Sequence, residues 1–122
     1  MYAYKGKILR LDITKKKAKV EELSKDQIRK YLGGRGFGAK VYYDEIMPGI
    51  NPLERENKLV FMTGPLTGTQ VFGSCKCSLI TKSPLTGIYL CSNAGGHFGA
   101  ELKSAGYDGM IVEGRADYPM YV

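Results

Sequence analysis

The chain reads as short strands broken by polar turns, with helical spacing in three places. Apolar and polar residues alternate over 9–13, as in a half-buried strand. Residues 14–17 are polar and turn-like, and Ala18-Lys19-Val20-Glu21 alternates again, so 5–23 predicts a hairpin. Ser24 with Gln27 three positions later is a capping box, and Ile28, Tyr31 and Leu32 follow at helical spacing. Gly33-Gly34 interrupts that helix. A second is predicted from near Phe37, with Ala39, Tyr42, Tyr43, Ile46 and Met47 on one apolar face, and Pro48-Gly49 ends it. The unbroken run Leu59-Val60-Phe61-Met62 predicts a strand buried on both faces. Shorter strands are predicted over 77–81 and 88–91. A third helix follows near His97, with Phe98, Leu102 and Ala105 on one face and Gly106 as its stop. Met110-Ile111-Val112 predicts a buried strand and 120–122 the beginning of another. A chain finishing inside a strand pattern, without a polar tail, is expected to be part of a larger one. Pro65-Leu66-Thr67-Gly68 and Pro84-Leu85-Thr86-Gly87 echo each other and are predicted to be turns.

The length, 122 residues, suits one small domain, and 43% hydrophobic with 25% charged residues excludes wholesale disorder. Sixteen glycines exceed the background of roughly 7%, pointing to tight turns and to backbone that something must approach closely. No apolar run approaches the roughly 20 residues of a membrane span, and the N-terminus lacks a secretory core. Three cysteines without an export signal read as reduced thiols in a cytoplasmic protein. The net charge of +6 is local: residues 1–40 carry twelve basic and four acidic side chains, whereas 61–122 carry four of each. This excess is either a solvated surface or an attraction to an anion such as phosphate, nucleic acid or an acidic protein.

Several motifs are decoys. Gly34-Arg35-Gly36-Phe37-Gly38-Ala39 fits the relaxed dinucleotide fingerprint, but a helix precedes it where a strand is required. It reads as a helix-to-helix joint, with Arg35 free to face an anion. Gly68 and Gly73 have P-loop spacing without the lysine. Cys75, Cys77 and Cys91 are spaced wrongly for a closed zinc or iron–sulfur site, and His97, the single histidine, would have to be the fourth ligand. They read as small buried hydrophobes that hold no metal. No Ser–His–Asp set and no acid pair stands out. The most informative stretch is Ser92-Asn93-Ala94-Gly95-Gly96, just before the third helix. Its small residues admit a ligand, the helix N-terminus suits an anion, and Lys76 adds a positive charge. The alternative is a plain glycine-rich turn.

Six segments in order resemble the N-terminal part of the aldehyde:ferredoxin oxidoreductase family, the tungsten- or molybdenum-pterin enzymes. They are residues 6–12, 32–40, 57–68, 81–87, 92–99 and 105–108, including Gly33-Gly34-Arg35-Gly36-Phe37-Gly38, Thr63-Gly64-Pro65-Leu66-Thr67-Gly68 and Ser92-Asn93-Ala94-Gly95-Gly96. The resemblance implies an α+β fold, mixed β-sheets with a few helices. It implies that residues 1–122 are the tungstopterin-binding base domain cut short at its C-terminal end. It implies a bis-pterin cofactor whose sulfurs hold the metal, and a magnesium ion between the pterin phosphates. Asn93 would give magnesium its backbone carbonyl, and Ala94 and Gly95 would lie against the pterin. Lys76 stands where the family has arginine, and Cys75 where it has glycine. The family's [4Fe-4S] cysteines have no counterpart here. The implied reaction takes a small aldehyde to its acid and passes electrons to ferredoxin, with the remaining domains or subunits as partners. By itself this chain is expected to be inactive. Homo-oligomerisation stays open, as do a non-catalytic module binding a phosphate-bearing ligand or partner subunit and, weakened by the absence of tryptophan and only four phenylalanines, a basic nucleic-acid-binding domain.

Overall fold

The fold is given by a computed structural model in which residues 3–121 are described. The predicted hairpin is β1 (Lys7–Asp12) and β2 (Lys17–Glu22), paired antiparallel with Leu9 opposite Val20. The capping box forms on α1 (Lys25–Tyr31), with Ser24 Oγ accepting from Gln27 N–H and Gln27 Oε1 accepting from Ser24 N–H. After the joint at Leu32-Gly33 come α2 (Gly34–Glu45) and β3 (Lys58–Thr63), then β4 (Cys77–Lys82) and β5 (Tyr89–Ala94). The chain closes with α3 (Phe98–Ser104) and β6 (Gly109–Glu113). Gly106 follows α3 at φ +98°, the left-handed stop the sequence predicts.

The six strands of the described residues form one mixed sheet in the order β2-β1-β6-β3-β4-β5, so β6 slots between β1 and β3. Only β1 and β6 run parallel; every other neighbouring pair is antiparallel. With three helices, this is the α+β class. Helix α2 lies across β3 and β4 on one face. The core under it is Ile8, Phe37, Val41, Val60, Met62, Ile80 and Ile111. Full burial of a side chain such as Val60, Met62, Ile80 or Ile111 contributes about 2 kcal/mol.

Two helix faces and two strands depart from expectation. The buried face of α2 is Phe37, Gly38 and Val41, while Tyr43 is 84% exposed and Met47 lies exposed beyond the helix. The reason is Gly38: a Cβ there would lie 2.3 Å from Ile80 Cδ1, so the missing side chain, not an apolar one, marks the contact line. In α3, Leu102 is buried but Phe98 is half-exposed, and Ala105 lies past the helix end. In β3, Val60 and Met62 are buried under α2, but Leu59 on the opposite face is 42% exposed. That face is covered only in part, where Phe98 packs on Phe61 with ring centroids 5.4 Å apart. Residues 120–121 are not in a strand, and Val122 lies outside the described residues. No helix among the described residues is long and apolar enough to cross a membrane.

Candidate functional site

Residues 64–76 cross one end of the sheet between β3 and β4. Thr67, almost wholly buried, organises this loop. Its hydroxyl accepts from Gly64 N–H and donates to the Lys76 carbonyl, both at 3.0 Å. Gly68 N–H donates to the Ser74 carbonyl, and Ser74 Oγ donates to the Thr69 carbonyl. So tied, the loop holds Phe72 fully in solvent. Between it and α2 lies a groove of about 330 Å³ lined by Gly34, Gly64, Thr67, Phe72, Lys76 and Ser78.

The helix whose first residue lines this groove is α2; α3 is not at it, contrary to the expectation for the helix near His97. The N-cap of α2 is Gly33, which offers no side chain, and the N–H groups of Gly34 and Arg35 find no acceptor among the described residues. Free N–H groups and the helix dipole make this end electropositive. Lys76 makes no ion pair among the described residues. The groove therefore suits an anion.

Asn93 enters through strand register. Ser83 N–H bonds the Ile88 carbonyl, which makes that pair the hydrogen-bonded kind. Pairs alternate along an antiparallel ladder. Counting back from Ser83↔Ile88, Leu79↔Ser92 and Cys77↔Ala94 are hydrogen-bonded pairs, and Ser78↔Asn93 between them is not. The N–H and carbonyl of Asn93 consequently point away from β4, and since β5 is the edge strand no further strand among the described residues takes them up. In such a pair the side chains come close, and Ser78 Oγ donates to Asn93 Oδ1 at 2.9 Å.

The predicted residues are thus partly gathered. Lys76 lines the groove, and Asn93 joins it through Ser78. Asn93 also borders a second groove, of about 510 Å³, with Ala94, Phe61, Leu79, Phe98 and Met110. This lies on the opposite face of the sheet, so Ala94 points away from Lys76. Gly95 is exposed; a Cβ on it would meet nothing nearer than Cys75 Sγ at 4.0 Å, and its φ is not positive. Gly64 is alike, with only Thr67 Oγ1 at 3.6 Å. Neither dihedral nor internal packing calls for glycine at these two positions.

The three thiols are separated. Cys75 is exposed beside Gly95, Cys77 is buried on the face of the second groove, and Cys91 packs against the core under α2. Burial pushes the Cys77 thiol up, toward the inert protonated form. Part of the basic excess has structural work as well. Lys17 and Lys19 lie on β2, the other edge strand, where lysine discourages strand addition, and Lys30 and Lys40 pair with Asp26 and Asp44 along their helices. Groove residues that sequence reasoning did not assign to the site include Gly34, Gly64, Thr67, Phe72 and Ser78. Gly34 stood out in a motif, but only the fold brings it to Lys76.

The chain is similar to known proteins in sequence and in fold. Residues 8–122 match the family "Aldehyde ferredoxin oxidoreductase, N-terminal domain". The whole chain is 49% identical to a tungsten-containing aldehyde ferredoxin oxidoreductase of Pyrococcus horikoshii, of which it covers 20%. It is 42% identical to an aliphatic sulfonate oxidoreductase, WOR-like subunit, of Pyrococcus furiosus, again covering all of this chain and 20% of that protein. Among solved structures, the active-site complex BamBC of benzoyl coenzyme A reductase superposes with a TM-score of 0.92 at 36% identity, over 95% of this chain and 18% of the other. The chain thus spans about a fifth of the relatives it matches. In sequence and in fold, it belongs to the aldehyde ferredoxin oxidoreductase N-terminal domain family.

Proposed function

We propose that this chain is the cofactor-cradling first segment of a tungsten- or molybdenum-pterin oxidoreductase. The observation that carries the reading is the pair Gly64 and Gly95. No contact or dihedral among the described residues requires glycine at either, and a flat ring system docked against the backbone would account for the missing side chains. The open edge at Asn93 supports the same assignment: its main-chain carbonyl is a hard oxygen donor suited to magnesium. Lys76 and the N–H groups at the start of α2 would face the phosphates of the pterins. Lysine gives a point charge where arginine would give a planar fork, so it neutralises phosphate without fixing its orientation.

When bound, the metal held by pterin sulfurs supplies two-electron chemistry, in which an aldehyde and water become a carboxylic acid, two electrons and two protons. The residues of this chain bind and orient the cofactor and supply neither the substrate cavity nor the route for electrons. We assign ferredoxin as the separate electron acceptor, and a [4Fe-4S] relay and the aldehyde cavity to other parts of the protein. The range of relatives favours this division. Proteins named for aldehydes, for sulfonates and for a benzoyl thioester share this segment, which supports substrate choice being made elsewhere.

The test is metal and pterin content per chain in the full-length protein. Gly95→Val adds a branched side chain where the ring system would lie and is expected to abolish retention. Full loading of that variant would remove the loop at Gly95 as the cofactor site. With the 122-residue chain alone, viologen reduction by several aldehydes is expected not to exceed the blank.

A further inference from the structure

We propose that Ser78 is a positioning residue that fixes the amide of Asn93 with its oxygen inward and its NH2 toward the groove, where it donates to a phosphate oxygen of the bound cofactor. The proposal rests on the groove reading above and names a polar contact within it. Ser78 is 92% buried, and a buried hydroxyl requires a partner. Among the described residues the partner of its hydroxyl is Asn93 Oδ1, at 2.9 Å. The contact follows from register, because Ser78 and Asn93 are directly opposite in a pair without main-chain bonds, where side chains approach most closely. The main chain on either side is already fixed by the hydrogen-bonded pairs Leu79↔Ser92 and Cys77↔Ala94. The side-chain bond is therefore not needed to hold the strand. What it decides is which end of the amide faces outward.

With Oδ1 taken, Asn93 Nδ2 has two donors and no acceptor among the described residues, on an exposed residue. Ser78 is held in turn at the start of α2, where a Cβ on Gly34 would come within 3.6 Å of its Oγ. Gly34, Lys76 and Ser78 line the groove, and the Asn93 amide meets its edge through Ser78. Two functions then meet in one residue. The main-chain carbonyl of Asn93 is a cation ligand at the sheet edge, and its side chain is an anion donor beside it, which suits a magnesium phosphate.

The experiment uses the full-length protein and reads tungsten and magnesium per chain, the half-time of cofactor release in chelator, and the thermal midpoint without cofactor. Asn93→Asp can still accept from Ser78 but loses both donors and gains a charge. It is expected to keep the midpoint and to shorten the half-time at least tenfold. Ser78→Ala and Asn93→Ala are each expected to shorten it about tenfold, and the double variant no further than about twofold beyond either, because both remove one coupled element. Losses that multiply in the double variant would make Ser78 merely structural and overturn the proposal, as would full retention in Ser78→Ala. Gly95→Val is run alongside. If it loses cofactor while Ser78→Ala keeps it, Ser78 falls and the groove stands. Full loading in Gly95→Val removes the Gly95 loop as a cofactor contact, and with it the reading on which this proposal rests.

Discussion

Replacing Gly95 by alanine should make the cofactor-free protein slightly more stable and the cofactor less tightly held. The position has no positive φ, and an added Cβ meets only Cys75 Sγ at 4.0 Å, ordinary contact. Alanine there restricts the unfolded chain at no native cost, a gain of about 0.4–1 kcal/mol. For a domain of this size that is a rise of roughly 2–6 °C in midpoint. Against a bound ring system, the same methyl would intrude on a contact near 3.5 Å, where overpacking costs about 1–3 kcal/mol. That is roughly a fivefold to hundredfold loss of affinity, and valine extends the intrusion. The assay pairs thermal unfolding of cofactor-free protein with cofactor retention in chelator, for Gly95→Ala, Gly95→Val and Gly64→Ala. The two glycine-to-alanine changes should raise or preserve the midpoint while lowering retention. A fall in cofactor-free stability of more than about 1 kcal/mol would show that the chain itself needs glycine there, and the argument for an external occupant would fail.

Three further outcomes follow from contacts away from the groove. Asp108, 3% exposed, accepts from Lys5 N–H, from Gly6 N–H at 2.6 Å and from Lys103 Nζ at 2.9 Å. Asp108→Ala leaves a buried ammonium and two donors behind and should cost about 3–5 kcal/mol in urea unfolding, whereas Asp108→Ala with Lys103→Met should recover a large part. Gly38→Ala drives a methyl into Ile80 and should cost about 1–2 kcal/mol despite alanine's better helix propensity, partly restored by Ile80→Val. Acid should unfold the chain partly through Glu21 and Glu113. The hydrogen bond from Arg10 holds the Glu21 carboxyl low, against burial, and burial pushes Glu113 up but is outweighed by Lys58 and Arg10. Both folded values lie below the unfolded value near 4.3, so the unfolded state binds more protons. The stabilisation is present above about pH 5 and is lost as pH falls through the depressed values; a stability–pH slope unchanged in Arg10→Met would refute this.

Much of this fold was legible because local signals were strong. The capping box at Ser24 and Gln27, the Gly106 stop and the alternation across the hairpin each state a local geometry, and each is present. What failed was contact between distant segments. Counting Tyr43 and Met47 as a buried stripe treats apolar character as burial, whereas α2 meets the sheet through Gly38, whose signal is an absence. The insertion of β6 between β1 and β3 has no local signature either. For the groove, Lys76 and Asn93 could be named by resemblance, but that they share Ser78 depends on strand register. Gly34 carried a motif of the wrong meaning. A helix start after a helix joint provides the same free N–H groups as one after a strand, and the relaxed fingerprint cannot tell which.

The two edges of the sheet differ in a way that bears on function. At β2 the exposed strand carries Lys17 and Lys19, charges that oppose pairing with another chain. At β5 the edge is Tyr89, Leu90, Cys91, Ser92, Asn93 and Ala94, with neither a charge nor a proline. Edges left bare of such guards invite partners, so an unguarded edge persists where some partner is intended to occupy it. The outward-pointing main-chain groups of β5 belong to Tyr89, Cys91 and Asn93, by the alternation that places Ser78 opposite Asn93. Of these, Asn93 is at the end beside the groove, where the strand gives way to small, unstrained residues. A single register therefore fixes two things together, which carbonyl is free and which side chain is held by Ser78, and on the proposed reading it also sets which glycine faces the cofactor. A one-residue slip in β5 would turn Asn93 to the other face and close its carbonyl into the ladder. On the proposed reading, cofactor binding would depend on the β4–β5 hairpin, and its turn at residues 83–88 would matter to the site as much as the residues that line it.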